Sequence, residues 1–163
     1  MKAVRIAMAL AVVVAIAAYV VAQEKPWFDM KNCAMCSTLA SKPGLLEAMT
    51  WDHYPIANGL MTVSSCPEQF KATMNQAMTE MGKVQEKIKA GEKVYLDGYC
   101  TTYGELMAAG AKVENVHTSM GDVTLMTSND PKVVAKIHEF GQRTIDELAK
   151  MAAAAKAPAE GQK

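Results

Sequence analysis

The chain has 163 residues, in which 17 basic residues balance 17 acidic ones. Zero formal charge with no basic patch excludes nucleic acid as the expected partner, because the phosphate backbone calls for a positive surface. Half of the residues are apolar, which is material for one domain with a sizeable core.

At the N-terminus Lys2 and Arg5 precede an unbroken apolar run from Ile6 to Ala22, with the small residues Val20 and Ala22 at its end. This pattern predicts a secretory signal peptide over residues 1–22, cleaved before Gln23. The protein is therefore expected to be exported, to a periplasm or to the outside. The rival is an uncleaved anchor, for which the run is short against the ~20 residues of a spanning helix. Membrane contact is expected only through that segment, if it stays attached. Residues 23–156 are read as a single α+β domain, and the Ala-rich end at 157–163 as a disordered tail.

Within the domain the first element is a short strand, "PWFDMK", followed by Cys33-x-x-Cys36 and a short helix over 37–49. "TWDHYPIANGLMTVSS" predicts a hairpin turning at Asn58-Gly59. A long helix follows Cys66-Pro67, with Phe70, Met74, Ala77, Met81, Val84 and Ile88 on one apolar stripe. The order then repeats. "KVYLDGY" predicts a strand, 102–109 a short helix, and "VENVHTSMGDVTLMTS" a hairpin turning at Gly121-Asp122. Asp130-Pro131 opens a second long helix, with Val134, His138, Gly141, Ile145, Leu148 and Ala152 in its stripe. The chain thus reads as two tandem βαββα units, about 26–90 and 91–156. An offset of 64 superposes Cys36 on Cys100, His53 on His117, Ser64 on Ser128 and Pro67 on Pro131, which points to an internal duplication. The fold class expected is α+β: an antiparallel sheet covered by two long helices.

The chemistry concentrates in sulfur. All four cysteines, Cys33, Cys36, Cys66 and Cys100, lie in the exported part, where an even count usually means disulfides, and four permit three pairings. Cys33 and Cys36 stand at the start of a short helix, a place that favours thiolate. Two thiolates three residues apart can grip one soft metal ion or close a redox disulfide. Ser37 follows Cys36 where c-type haem attachment needs histidine. The 13 methionines add thioethers, and thiolate with thioether selects Cu(I). Met30 and Met35 flank the cysteines, whereas Met74, Met78 and Met81 sit on or beside a helix stripe and read as core filler.

The stretch Met30 to Leu39 resembles the metal loop of the heavy-metal-associated domains of copper chaperones. That resemblance implies Cu(I) held by Cys33 and Cys36. It departs from the pattern in placing Met30 three residues before Cys33 and in lacking the usual glycine. The same loop also resembles the active site of thioredoxin-like oxidoreductases, although no thioredoxin-type element order follows.

Under the duplication, Cys36, Cys100, His53 and His117 would converge near a twofold axis as a zinc or copper site. The alternative for each histidine is a solvated or hydrogen-bonded strand residue. Cys66 would lie at a helix start and be more acidic than usual, with Ser65 and Glu68 as a capping box. His138, in an apolar stripe at the position matching Met74 of the first long helix, is a further candidate ligand. A phosphate-binding glycine loop, a GxSxG elbow, an HExxH helix and paired carboxylates at catalytic spacing are all missing, so no catalytic residue is assigned.

The reading is an exported soluble protein that binds copper, with zinc as the alternative metal, in buffering, delivery or resistance. Its partner is the metal ion, and another exported protein could exchange it. Two other readings stand beside it. One is a thiol–disulfide oxidoreductase with Cys33 as nucleophile and Cys36 as resolving thiol. The other is a non-catalytic binding domain stapled by disulfides.

Overall fold

Two β-hairpins pair side by side to make the sheet. In the computed structural model, residues 25–156 are described, so the readings of 1–22 as a signal peptide and of 157–163 as a tail lie outside them. The elements are α1 (Ser37–Ala40), α2 (Leu45–Ala48), β1 (Thr50–Ile56), β2 (Gly59–Ser65), a 3-10 turn (Glu68–Phe70), α3 (Lys71–Lys89), α4 (Gly98–Ala108), β3 (Lys112–Thr118), β4 (Gly121–Thr127) and α5 (Pro131–Lys156). All neighbouring strands are antiparallel, in the order β1-β2-β4-β3. The fold is α+β, as expected. Among the described residues no helix is long and apolar enough to cross a membrane.

The strand period of two sorts side chains between the faces of the sheet. Leu60 pairs with Met126, and Met126 with Val113, so these three point the same way, together with His53 and Trp51 further along. Helix α5 closes this face through Val133, Ile137, Phe140 and Thr144, which are buried. Trp27, Leu106 and Ala111 complete the core. Burying a side chain such as Ile137 or Phe140 contributes about 1.5–3 kcal/mol. At the crossing of α5 over β2, a Cβ on Gly141 would meet Leu60 Cδ1 at 2.6 Å, so glycine sets how closely helix and sheet approach.

Several expectations are corrected. "PWFDMK" and "KVYLDGY" form no strands: Pro26 and Trp27 give their carbonyls to the amides of Gly98 and Tyr99 at the start of α4. The hairpins turn at Ala57–Asn58 and Ser119–Met120, because Gly59 and Gly121 are already the first residues of β2 and β4. There they allow close backbone approach. A Cβ would sit 1.9 Å from the Met126 carbonyl oxygen at Gly59 and 2.2 Å from the Ser64 carbonyl oxygen at Gly121. The strands are related by 62 residues rather than 64: β1 begins at 50 and β3 at 112, β2 at 59 and β4 at 121. His53 therefore matches Asn115, not His117.

Among the described residues one long helix, α5, covers the sheet. Helix α3 packs on α1 instead, buries Ala77 alone, and leaves Met78 and Ile88 exposed. The stripe of α5 is also shifted, with Val133, Ile137, Phe140 and Thr144 innermost and His138 and Ile145 half-buried.

Gly121 has φ of 146° as well as the carbonyl contact. Gly121→Ala should therefore lower unfolding stability by at least about 2 kcal/mol. Gly82→Ala, on α3 with nothing within 4 Å of the added carbon, should raise it by about 0.5–1 kcal/mol. Urea titrations of the two variants beside the parent check both directions.

Candidate metal centre

The segment before α1 is held to the start of α4 by main-chain bonds. Besides the two from Pro26 and Trp27, the Ala34 amide donates to the Tyr95 carbonyl at 2.9 Å. A Cβ on Gly98 would lie 3.1 Å from Trp27 Cα, so a bulkier residue would push the segments apart. Asp97 caps α4. Its Oδ1 accepts from the Cys100 amide at 2.9 Å and its Oδ2 from the Asp29 amide at 3.1 Å. One fully buried carboxylate thus fixes both the helix start and the loop that leads to Cys33. Asp29 in turn accepts from both the Asn32 amide and the Tyr95 hydroxyl.

This scaffold brings Cys33, Cys36, Asp97 and Cys100 together. One ligand atom from each lies within 4.8 Å of all the others, and the four could hold a metal ion. Cys33 and Asp97 are fully buried, Cys36 nearly so, and Cys100 is half-buried. Cys36 Sγ and Cys100 Sγ are 3.5 Å apart. Cys100 is the third residue of α4, where the helix amides favour negative charge.

The thiols do not titrate alike. The hydrogen bond from the Cys100 thiol draws the Cys36 thiol below its ordinary value, against burial and the Asp97 charge. The same bond, with burial, pushes Cys100 well above it. Burial raises Cys33, partly offset by the Asp97 main-chain amide. Of the three thiols, Cys36 is thus the first to ionise, with Cys100 donating to it. A bound cation would replace that proton and draw the remaining thiols into the ionised form.

The other candidate residues lie outside this group. Met30 and Met35 are half-buried in the turns on either side of Cys33. Cys66 stands before the Pro67 that caps the 3-10 turn, and its thiol contacts the Pro67 carbonyl at 3.7 Å. Burial raises its pKa, contrary to the acidic thiol expected, and Ser65 bonds Thr50 instead of forming a capping box. His138 Nε2 donates to the Ile56 carbonyl at 2.9 Å. His117 is exposed and bonds Asp122, its cross-strand partner, at 2.6 Å. His53 and His117 occupy the two edge strands, three inter-strand steps or about 14 Å of sheet apart. The symmetric set of two cysteines and two histidines therefore keeps only its cysteines.

Asp97 was hidden in the sequence by the reading of "KVYLDGY" as a strand. Its signal was the Asp-Gly pair immediately before a helical stretch, a capping pattern. No family model matches the chain, and no curated protein or solved structure matches it either.

His53 is a buried ionisable group on the core face. It is 7% exposed, neither ring nitrogen has a hydrogen-bond partner, and Trp51 meets it edge-on at 5.1 Å. Burial lowers its pKa below 6.5, with the Trp51 main chain and Asp52 opposing in part. The unfolded chain then binds the proton more readily. Stability from this group is full above pH 6.5 and is lost as pH falls through the lower folded value. His53→Phe should flatten that acid limb, as read from urea midpoints between about pH 7 and 5.

Proposed function

We propose that the protein is an exported metal-binding protein that holds one soft ion on Cys33, Cys36 and Cys100, with Asp97 beside them, and serves in buffering, delivery or resistance. The convergence of these four side chains, from two segments more than 60 residues apart, carries the reading. Copper is preferred. Three sulfur donors suit Cu(I), and Met30 and Met35, which flank Cys33 in sequence, are further thioethers. Zinc is the alternative, because a carboxylate can complete a tetrahedral site with three thiolates. Both oxygens of Asp97 already accept main-chain amides, which favours it as a group that orients and charges the site. Export is supported by the apolar N-terminal run alone.

The oxidoreductase reading loses support here, since its nucleophile, Cys33, is fully buried.

Metal analysis tests the proposal. Protein purified from the exported fraction under reducing, oxygen-free conditions should carry about one copper or zinc per chain. Cys33→Ser, Cys36→Ser and Cys100→Ser should each weaken binding at least about tenfold, since even losing a group that only orients a ligand costs about that much. Cys66→Ser and His117→Ala should bind as the parent does. Affinity should fall with pH as thiols regain their protons. A chain that takes up neither Cu(I) nor Zn(II) under reducing conditions overturns the reading.

A further inference from the structure

We propose that the metal site is gated by oxidation through a disulfide between Cys36 and Cys100, not within the Cys33-x-x-Cys36 pair. The inference rests on the metal-binding reading and adds its control. Cys36 Sγ and Cys100 Sγ are already 3.5 Å apart although 64 residues separate them in sequence. A bond needs them to close to about 2.05 Å. The loop and the start of α4 are tied by the Pro26–Gly98, Trp27–Tyr99 and Ala34–Tyr95 bonds, so the two sulfurs are held in register without a new chain movement. Cys33 is different. It is fully buried, and its sulfur faces the Asp97 main-chain amide. Cys100 is the member of the three that is only half-buried, and so the one an oxidant reaches first.

The oxidant is a small-molecule disulfide, R–S–S–R. In the metal-free form, once one thiol of the pair has ionised, the proton shared across the 3.5 Å contact moves to Cys36 and the Cys100 thiolate attacks one sulfur of the oxidant. A Cys100 S–SR bond forms, the R–S–S–R bond breaks, and the departing thiolate takes a proton from water as RSH. The Cys36 sulfur then attacks Cys100 Sγ and displaces the second thiolate, which takes the Cys36 proton. Two cysteine thiols are oxidised to one disulfide, and one R–S–S–R is reduced to two RSH. The disulfide removes two of the three thiolates, so an ion that dissociates cannot rebind, and the loaded protein empties as it oxidises. Reduction restores the site.

The test uses the full protein, loaded with Cu(I) and titrated with oxidised glutathione, acid-quenched, alkylated and mapped by peptide mass spectrometry. The expected result is a Cys36–Cys100 linked peptide that rises in step with copper release, with both reversed by dithiothreitol. Cys33→Ser should form the same link, and Cys66→Ser should release copper like the parent. A Cys33–Cys36 link, or copper kept while Cys36–Cys100 is fully oxidised, overturns the gate and leaves the metal site standing. Absence of any bound copper before oxidation overturns both, while a Cys36–Cys100 link that dithiothreitol does not reduce in the folded protein marks the pair as a structural staple and also overturns the gate.

Discussion

The carboxylate of Asp97 is the constraint on which the site depends. It accepts one amide from Cys100 and one from Asp29, so a single buried side chain starts α4 and pins the loop that carries Cys33 and Cys36. A buried carboxylate with fewer hydrogen bonds would be costly. Here both oxygens are satisfied, and the charge sits at the positive end of an eleven-residue helix. What the sulfurs can do follows from that junction, which three main-chain bonds between the same two segments reinforce.

Around it the fold divides labour. The sheet and α5 supply the hydrophobic core, centred on Leu60, Met126, Ile137 and Phe140. Trp27 and Tyr99 bridge from that core to the site: Trp27 meets Phe140 at 5.6 Å and Tyr99 at 6.1 Å, and Tyr99 immediately precedes Cys100. The apolar packing thus holds the junction rigid, and the site lies on irregular chain and one helix end, where main-chain amides are free to face sulfur. The hydrogen bond between Cys36 and Cys100 lets the two share a proton, which limits the repulsion that three buried thiolates would suffer.

Much of the architecture was legible because it rests on short-range patterns. The alternation in residues 50–65 and 112–127 gave four strands, and the 3.6-residue stripes gave both long helices. What failed were statements that depend on long-range partners. "PWFDMK" has strand-like composition, yet its carbonyls are taken by α4, so no ladder forms. The stripe of α3 predicts a buried face, but the helix packs on α1 and leaves that face half open. At the site, Cys33, Cys36 and Cys100 were readable as sulfur chemistry. Their fourth neighbour was not, since a capping aspartate looks like any other turn residue until the helix start is located. The pairing of His53 with His117 followed from an offset of 64, and two residues of error in that offset are enough to give them non-equivalent places.

X-ray absorption at the metal edge of the reduced, metal-loaded protein tests the central claim most directly. The account predicts a first shell of three sulfurs, reduced to two in Cys100→Ser. A shell dominated by imidazole nitrogen, or one unchanged by Cys100→Ser, would contradict it.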